Sequence, residues 1–396
     1  MRILMISDVF FPRINGVSTS IESFRHSLAE LDIDVHVVAP HYPAAHTDDE
    51  KVIRVRSRQV PFDPEDRLMH AGALRHALHS TGNARFDLVH VQTPFAAHYA
   101  GLRHARAQHL PCIATYHTHF EEYLHNYVPA VPKSMLRATA RSLARHQCNS
   151  LDAVIVPSSA MQDTLKNYGV TAPMHRVPTG IPIERFRRPA SPDFPTDAPS
   201  LFRARHDIPD NRPMALFVGR AAHEKNIGFL LEAMPHALQT NPGLILVVAG
   251  EGPALPALKK QAAALGIAAQ VRFVGYLDRL TELPECYAAA DLFVFSSRTE
   301  TQGLVLLEAM AAGVPVLAFA ALGTREIVEP RRGALPAPQE IETFGQAMAA
   351  LANDPALRAK MSAEARVFAE EWTTEACAQR LADVYRNIKN RHNAQS

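Results

Sequence analysis

Apolar residues come in short runs along this chain, and most runs are followed by stretches in which apolar positions recur every three or four residues. Short continuous runs are typical of strands buried on both faces, and the longer period is typical of the helices that cover them. The alternation predicts a parallel sheet with helices on both sides. In the first part of the chain we expect a helix at 18–30 and strands at 2–7, 35–39, 88–92, 112–117 and 153–157.

A second series of apolar runs follows a proline-rich segment. Residues 189–213 contain six prolines, which predicts a linker that continues neither a sheet nor a helix. Further strands are expected at 214–219, 244–249, 271–274, 292–296 and 314–318. A chain of 396 residues also exceeds the usual size of one core.

The two series predict an α/β protein of two Rossmann-like, doubly wound domains that face each other across a cleft. The first domain is expected at 1–188 and the second at 214–372. The terminal segment 373–396 has helical spacing, and its pattern leaves open whether it ends the second domain or crosses back to the first.

Composition narrows the class of protein. Apolar residues make up 47% of the chain, charged residues 20%, and the net charge is +1, which argues against a dedicated nucleic-acid-binding protein. The four cysteines lack metal-like or disulfide-framework spacing and are expected to be reduced thiols. The first residues predict a strand and no signal peptide, and no apolar stretch is long enough to span a bilayer. We expect a cytoplasmic protein whose membrane contact, where present, is peripheral.

Two glutamates mark the segment 298–317, R-T-E-T-Q-G-L-V-L-L-E-A-M-A-A-G-V-P-V-L. Glu308 lies within an apolar run that predicts a packed helix, so its carboxylate needs hydrogen-bond donors, and the hydroxyls of a ribose would supply them. Gly303 begins the helix, where backbone N–H groups favour phosphate or sugar oxygens, and Glu300 precedes it in the loop. The alternative is a structural helix with one glutamate at its exposed end.

Loops after the predicted strands carry the other candidate residues, because doubly wound folds bind ligands at the carboxyl ends of their strands. Arg220 and Lys225 suit a diphosphate, the first as a fork of donors and the second as a point charge. The loops at 250–253 and 275–278 would complete a site for base, ribose and diphosphate.

In the first domain, Asn15-Gly16 precedes a serine that would cap the following helix, as in an anion-binding turn, although an ordinary turn has the same pattern. The absence of G-x-G-x-x-G from this loop argues against hydride transfer. His117 is predicted at the end of a strand, where a neutral imidazole could bind a sugar hydroxyl or steady a developing charge.

Four motifs carry a resemblance over nearly the whole chain: N-G-V-S at 15–18, T-Y-H-T at 115–118, V-G-R-x-x-x-E-K-N at 218–226 and E-T-Q-G-L-V-L-L-E-A-M-A-A-G-V-P-V at 300–316. With them the chain resembles the retaining nucleotide-sugar glycosyltransferases of the GT-B fold, a family that includes bacterial enzymes acting on lipids. The resemblance implies a terminal helix that crosses back onto the first domain.

The resemblance also implies roles for single residues. Glu300 would bind the donor hexose and Glu308 the ribose hydroxyls, while His117 would lie beside the donor sugar. The diphosphate and the remaining donor contacts would fall to the following set: Gly16, Arg220, Lys225, Gly252, Leu277, Gly303, Leu304 and Val305.

Two departures from the common family pattern indicate a subgroup. Asn15-Gly16 replaces a pair of glycines, and Thr301-Gln302-Gly303 replaces Gly-Phe-Gly. Both variants, together with Y-H-T-H-F-E-E-Y-L-H-N-Y-V-P at 116–129, resemble the enzymes that transfer glucose or mannose to diacylglycerol or related lipids. The implied donor is UDP-glucose or, second, GDP-mannose.

The reaction is expected to need no metal or other cofactor. No Asp-x-Asp motif falls in a predicted cleft loop, and Arg220, Lys225 and the helix start at Gly303 can stabilise the leaving diphosphate. If configuration is retained, Glu300 is either a nucleophile or, as the resemblance implies, only a ligand of the sugar during same-face attack.

Basic residues recur every fourth position between 133 and 145, which would form one stripe on a helix. The stripe comprises Lys133, Arg137, Arg141 and Arg145. It could lie on the anionic inner face of the cytoplasmic membrane and bring the cleft to a lipid acceptor, or it could be the solvated face of a packed helix. The alternatives to a lipid glycosyltransferase are transfer to a soluble saccharide or polysaccharide, a nucleotide-sugar epimerase and a non-catalytic nucleotide-sugar sensor.

Overall fold

The structure, a computed structural model, describes residues 1–43, 48–60, 63–81, 85–117, 133–187 and 197–395. The chain divides into two compact units, one formed by Met1–Gly180 with Thr374–Ser396 and the other by Ile181–Thr373. Each unit contains its own parallel sheet. The predicted α/β class with a doubly wound sheet in each of two domains is confirmed.

The first unit is built on seven parallel strands in the order β3-β2-β1-β6-β7-β8-β9, and β4 pairs with β5 as an antiparallel hairpin. Its elements, within the described residues, are β1 Arg2–Ile6, α1 Gly16–Ala29, β2 Asp34–Pro40, β3 Val52–Val55, β4 Ser57–Val60, β5 Asp63–Met69, α2 Ala71–Ser80, β6 Leu88–Val91, α3 Ala96–Ala107, β7 Cys112–Thr115, α4 Lys133–Asn149, β8 Ala153–Val156, α5 Ser159–Asn167 and β9 Met174–Arg176.

The second unit has six parallel strands in the order β12-β11-β10-β13-β14-β15. Its described elements are α6 Ile183–Phe186, α7 Ala198–Arg205, β10 Met214–Val218, α8 Ile227–Thr240, β11 Ile245–Ala249, α9 Leu255–Ala264, β12 Val271–Gly275, α10 Glu282–Ala289, β13 Leu292–Phe295, α11 Leu304–Ala311, β14 Val316–Ala318, α12 Arg325–Val328, β15 Ala334–Pro336, α13 Ile341–Asn353 and α14 Pro355–Ala369. A final helix, α15 Thr374–Gln395, belongs to the first unit.

Both faces of the first sheet are buried, as the continuous apolar runs require. Successive side chains of β1 alternate between the faces: Ile3 and Met5 pack with α1 and α15, whereas Leu4 and Ile6 pack with α2 and α3. Tyr385 of α15 is fully buried in this packing. The helix after the second unit thus completes the core of the first.

The strand order reverses between β1 and β6 in the first unit and between β10 and β13 in the second. At such a reversal the following loops diverge to opposite faces of the sheet and leave room for a ligand at the carboxyl ends of the strands. The loops after β10 and β13, which contain Lys225 and Glu300, therefore lie beside the reversal of the second sheet.

The start of α1 and the proline-rich segment both differ from what the sequence pattern predicts. Helix α1 begins at Gly16 and not near Ser18, because Asn15 is its N-cap and Ser18 completes a capping box with it. The proline-rich segment is predicted to be a linker that continues neither a sheet nor a helix, and within it a short helix, α7, forms at Ala198–Arg205. Pro199 is tolerated there because a residue of the first turn needs no intrahelical N–H partner. Residues 188–196 of that segment lie outside the described residues.

Candidate functional site

Loops at the carboxyl ends of β10, β11 and β12 approach one another closely enough to join by backbone hydrogen bonds. The N–H of Gly250 donates to the carbonyl of Gly275 at 2.7 Å. A Cβ on Gly250 would overlap the carbonyl of Gly219, and one on Gly252 would overlap that of Ala221. Both glycines have positive φ angles, +136° and +157°. Side chains are excluded at these points, so the edge of the sheet there is lined by main chain.

Lys225 and Glu300 form an ion pair between the loops that follow β10 and β13. The Lys225 Nζ lies 2.6 Å from the Glu300 Oε2, and both side chains are largely shielded from solvent. Reciprocal hydrogen bonds tie the two loops together: the Asn226 amide donates to the Ser296 carbonyl at 3.2 Å, and the Ser296 hydroxyl donates to the Asn226 carbonyl at 2.9 Å. The cation and the carboxylate are thus held in fixed relation.

The surroundings of Glu300 favour its ionised form. Burial by itself raises the pKa of this carboxyl, but the Lys225 ammonium and hydrogen bonds from the backbone N–H groups of Gln302 and Gly303 outweigh burial, and the net pKa is lowered. An ionised Glu300 accepts hydrogen bonds and donates none. It can therefore bind hydroxyl groups.

Helix α11 begins directly after Gly303, which adopts a left-handed conformation with φ +88°. Leu304 and Val305 form the first turn of the helix and are half-buried. The N–H groups of a first helical turn point along the axis and carry the positive end of the dipole. Glu308 lies one turn further, inside the unit.

Glu308 is 2% exposed and accepts hydrogen bonds from two side chains. The Arg279 Nη2 donates to its Oε1 at 2.6 Å, and the Tyr287 hydroxyl donates to its Oε2 at 2.9 Å. The expectation that this carboxylate needs donors is correct, and both donors are protein groups. They come from the loop after β12 and from α10.

Arg220 and Leu277 differ in what they offer a ligand. Arg220 is exposed directly after Gly219, at the end of β10. Leu277 follows β12 and is only 6% exposed, with its side chain in the core of the second unit. A ligand at this loop would therefore meet the Leu277 main chain.

His117 lies two residues beyond the end of β7, because the strand ends at Thr115 and not at residue 117 as predicted. Its Nε2 is 2.8 Å from the Gln92 Oε1, an acceptor, which assigns the proton to Nε2 and leaves Nδ1 as the acceptor. Burial lowers the pKa of His117 to about 4. The imidazole is neutral near pH 7.

Gly16 is exposed at the first position of α1, and there is open space where a side chain would project. The Asn15 side chain accepts from the Ser18 N–H at 2.9 Å, and the Asn15 N–H donates to the Ser18 hydroxyl at 2.9 Å. Among the described residues, no atom lies within 4 Å of the position that a Gly16 side chain would take.

Sequence reasoning missed Asp8, which follows β1 and is 7% exposed. Its Oδ2 accepts from the Thr93 hydroxyl at 2.7 Å, and both carboxyl oxygens accept from the N–H of Ala97 in the first turn of α3. Burial raises the pKa of Asp8 to about 6, although these hydrogen bonds oppose the rise. Its position after the first predicted strand is the feature of the sequence that could have identified Asp8 as a candidate residue.

The basic stripe lies on α4, whose Lys133 and Arg137 side chains fall outside the described residues. Arg141 and Arg145 are exposed, and the Arg141 guanidinium lies 5.4 Å from the centre of the Tyr168 ring. Met135 at 58% and Leu143 at 47% exposure are apolar side chains on the surface of the described part of the same helix. The described members of the stripe are therefore exposed, and contact of this helix with a membrane stays a prediction.

Helix α4 adjoins the carboxyl edge of the first sheet. The Gln147 amide donates to the Pro94 carbonyl at 2.7 Å and to the Tyr99 hydroxyl at 3.1 Å. Pro94 belongs to the loop after β6, and Tyr99 lies in the first turn of α3. Phe95 and Tyr99 are both half-exposed there.

The predicted residues thus fall into two sets, one in each unit. Those of the second unit lie in loops that follow its strands or in α11, which begins after one of these loops: Arg220, Lys225, Gly252, Leu277, Glu300, Gly303, Leu304, Val305 and Glu308. Those of the first unit are Gly16, His117 and the stripe on α4. Arg279 and Tyr287 were missed, since an arginine in a turn and a tyrosine in a helix have no sequence signal of their own.

Two family models cover the two halves of the chain. Glycosyltransferase Family 4 matches residues 14–185, and Glycosyl transferases group 1 matches residues 200–368. The alpha-monoglucosyldiacylglycerol synthase of Streptococcus pneumoniae is 34% identical over 325 residues, which span 80% of this chain and 71% of that protein. The chain belongs to the group 1 glycosyltransferases of the GT-B fold.

A second relative of this glycosyltransferase is named for a GDP-mannose donor. The GDP-mannose-dependent alpha-mannosyltransferase of Mycobacterium tuberculosis is 29% identical over 341 residues, 85% of this chain and 83% of that protein. Among solved structures, Anabaena Alr3699/HepE in complex with UDP-glucose superimposes with a TM-score of 0.76 at 19% identity, covering 98% of this chain and 100% of that one. The structural likeness shows the fold, and the sequence likeness shows the family.

The resemblance inferred from the motifs is therefore confirmed at the level of family and fold. Within the described part of the glycosyltransferase, no helix is both long and apolar enough to cross a membrane.

Proposed function

We propose that this glycosyltransferase moves a hexose from a nucleoside-diphosphate sugar to a lipid acceptor such as diacylglycerol or a glycolipid, with retention of configuration and without a metal. UDP-glucose is the favoured donor and GDP-mannose the second. The observation that supports the proposal most strongly is the Lys225–Glu300 pair beside the start of α11. In this pair the Lys225 ammonium can stabilise a leaving diphosphate, and the ionised Glu300 carboxylate can accept hydrogen bonds from sugar hydroxyls.

In this proposal the C1–oxygen bond to the diphosphate breaks and a C1–oxygen bond to the acceptor forms on the same face of the sugar. The acceptor proton passes to the leaving phosphate oxygen. Arg220, Lys225 and the first turn of α11 stabilise the departing charge, and Glu308 binds the ribose. His117 and Gly16 contribute a sugar contact and a phosphate or acceptor contact, by family resemblance.

Glu300 is assigned to binding the hexose hydroxyls, because the Lys225 ammonium already occupies one of its oxygens. The rival is a covalent route in which Glu300 attacks the anomeric carbon. Trapping a glycosyl-enzyme through Glu300 would eliminate same-face attack.

A lipid acceptor is favoured by the relatives named for diacylglycerol and phosphatidylinositol mannoside substrates and by the surface of α4. Arg141 and Arg145 form an exposed basic face of the kind that anionic bilayers attract, and Met135 and Leu143 are exposed apolar side chains of the same helix. We propose a peripheral contact of α4 with the inner face of the cytoplasmic membrane.

The substrates are tested in two steps. A thermal-shift screen against UDP- and GDP-sugars identifies the donor, and release of nucleoside diphosphate is then measured with no acceptor, with soluble saccharides and with vesicles that contain diacylglycerol. We expect release to depend on the vesicles. Conversion of the donor alone would favour an epimerase, and release driven by soluble saccharides would favour the other acceptor class.

Membrane contact is tested by sedimentation with anionic vesicles. Replacing Arg137 and Arg141 with Glu should reduce binding about tenfold or more, because two cations become anions and each basic residue near the surface contributes about 1 kcal/mol. Exchange of Arg386 and Asp383, an exposed pair on α15, for neutral residues is the control and should leave binding unchanged. Wild-type binding by the double variant would show that the stripe is not the anchor.

A further inference from the structure

The carboxylate of Glu308 is oriented by groups on two separate elements of the second unit. Arg279 contacts Oε1 at 2.6 Å and Tyr287 contacts Oε2 at 2.9 Å, so each oxygen has one fixed donor. A carboxylate has about four lone-pair sites. Each oxygen can therefore accept one more hydrogen bond. The two fixed donors orient the carboxylate and so determine the direction from which that further hydrogen bond can come.

The main chain around Arg279 is itself held in place. The Asp278 Oδ1 accepts from the N–H groups of Leu280 at 2.9 Å and Thr281 at 3.0 Å, and from the Thr281 hydroxyl at 2.9 Å. The Asp278 carbonyl accepts from the Leu283 N–H at 2.9 Å, at the start of α10. Arg279 thus extends from an ordered turn toward Glu308.

The ion pair between Arg279 and Glu308 matters for the charge state of Glu308 because that carboxylate is buried. Glu308 is 2% exposed, whereas the Arg279 side chain is 26% exposed. The ionised form of a buried carboxylate depends on its donors, and loss of one partner leaves the other charge uncompensated. Tyr287 alone supplies a neutral hydrogen bond, which is weaker than the charge-assisted one.

We propose that Arg279 is a positioning residue for donor binding, which holds the Glu308 carboxylate in the orientation that accepts the paired hydroxyls of a ribose. This inference rests on the proposed function, in which Glu308 is the ribose ligand.

The test compares UDP with 2′,3′-dideoxy-UDP by isothermal titration calorimetry, or the matching GDP pair where GDP binds the wild type more tightly. The proteins are the wild type, Arg279→Ala, Arg279→Lys and Arg332→Ala. Arg332 is the matched control, since its 2.6 Å ion pair with Glu371 is of equal length but exposed.

The wild type should bind the ribonucleotide about tenfold or more tightly than the dideoxy form, as expected for hydrogen bonds to a charged group. Arg279→Ala should bind both forms equally and as weakly as the wild type binds the dideoxy form. Arg279→Lys should keep part of the discrimination, because a point charge replaces the planar fork. Arg332→Ala should behave as the wild type.

Three results would contradict the ribose-binding role of Glu308 or the positioning role of Arg279, and they distinguish the two. Equal binding of both nucleotides by the wild type would remove Glu308 as the ribose ligand and with it that part of the proposed function. Undiminished discrimination by Arg279→Ala would refute the positioning role alone. If Arg279→Ala fails to fold, Arg279→Lys decides, and wild-type discrimination by that variant would refute the orientation role.

Discussion

Glu300 is a carboxylate that remains charged despite being shielded from solvent. Burial raises its pKa, and the Lys225 ammonium with two backbone N–H groups lowers it further than burial raises it. Because the net pKa is depressed, the stability that this ionisation contributes is present above the ordinary carboxyl pKa and is lost only as pH falls through the depressed value. Glu300 is therefore ionised throughout the neutral range.

Removing that charge should impair transfer more than nucleotide binding. Glu300→Gln keeps the shape of the side chain but loses the anion that accepts from sugar hydroxyls, so we expect kcat to fall about a hundredfold with little change in the Kd for the nucleoside diphosphate. Steady-state kinetics and calorimetry check the two quantities. Glu329→Gln, at an exposed pair, is the control. Unchanged kcat would exclude Glu300 from the site.

Glu308 could be proposed from sequence because a glutamate in an apolar helical run needs partners, and Glu300 because it precedes that helix in a loop after a predicted strand. Their actual partners could not. Arg279 lies 29 residues from Glu308, and Lys225 lies 75 residues from Glu300. Such contacts are set by how loops from different strands meet, and the spacing of residues along the chain does not encode that.

The loops at the edge of the second sheet depend on glycine where two main chains meet. Gly250 and Gly266 both have positive φ, but only Gly250 faces a neighbouring carbonyl, while Gly266 faces open space. The two sites therefore differ in the collision with a neighbour and also in the φ angle that a side chain would have to tolerate, +136° at Gly250 and +71° at Gly266.

Gly266→Ala should cost about 1 kcal/mol of unfolding free energy, from backbone strain alone. Gly250→Ala should cost at least about 3 kcal/mol, because the loops must also separate, and it should weaken donor binding. Urea denaturation and calorimetry measure both. Equal losses in the two variants would show that the loop contact contributes nothing.

Most strands of the two parallel sheets followed from apolar periodicity, since burial on both faces imposes it, whereas most of the helices between them were not predicted one by one. Predicted element boundaries were wrong where a local hydrogen bond determines the end of the element. Asn15 and Ser18 cap each other and move the start of α1, and α7 forms within a proline-rich stretch because Phe202 is fully buried. Apolar periodicity indicates which residues are buried, but it does not indicate which residues cap a helix. The burial of Phe202 depends on the folded second unit.

The two units differ in their buried titratable groups. His90, His98 and His117 lie in the first unit, and burial lowers the pKa of these imidazoles to about 3, about 4 and about 4. His90 also joins α15 to the sheet, since its Nδ1 lies 2.6 Å from the Tyr385 hydroxyl. In the second unit His206 shows a lowered pKa as well.

Mild acid should therefore weaken the first unit more. Below the unfolded imidazole pKa of 6.5 the unfolded chain binds protons that the folded unit excludes, so unfolding free energy falls by about 1.4 kcal/mol per pH unit for each such group. Asp8 opposes this, because its raised pKa adds stability that is full below pH 3.8 and is lost as pH rises through about 6.

Urea unfolding at pH 7 and 5.5 tests this difference. Trp372, the sole tryptophan, belongs to the second unit, so its fluorescence follows that unit while circular dichroism follows both. On acidification the circular-dichroism midpoint should fall further than the fluorescence midpoint. Equal shifts would contradict the assignment of acid sensitivity to the first unit.

The second unit contains the proposed donor site, the first contains a helix with exposed basic residues, and the chain belongs to the group 1 glycosyltransferases. The anomeric configuration of the glycolipid formed from UDP-glucose and diacylglycerol vesicles, with a metal chelator present, is the decisive quantity. Nuclear magnetic resonance of the lipid extract should show an α-linked hexose. A β-linked product, or donor consumed with no glycolipid formed, would contradict the proposal.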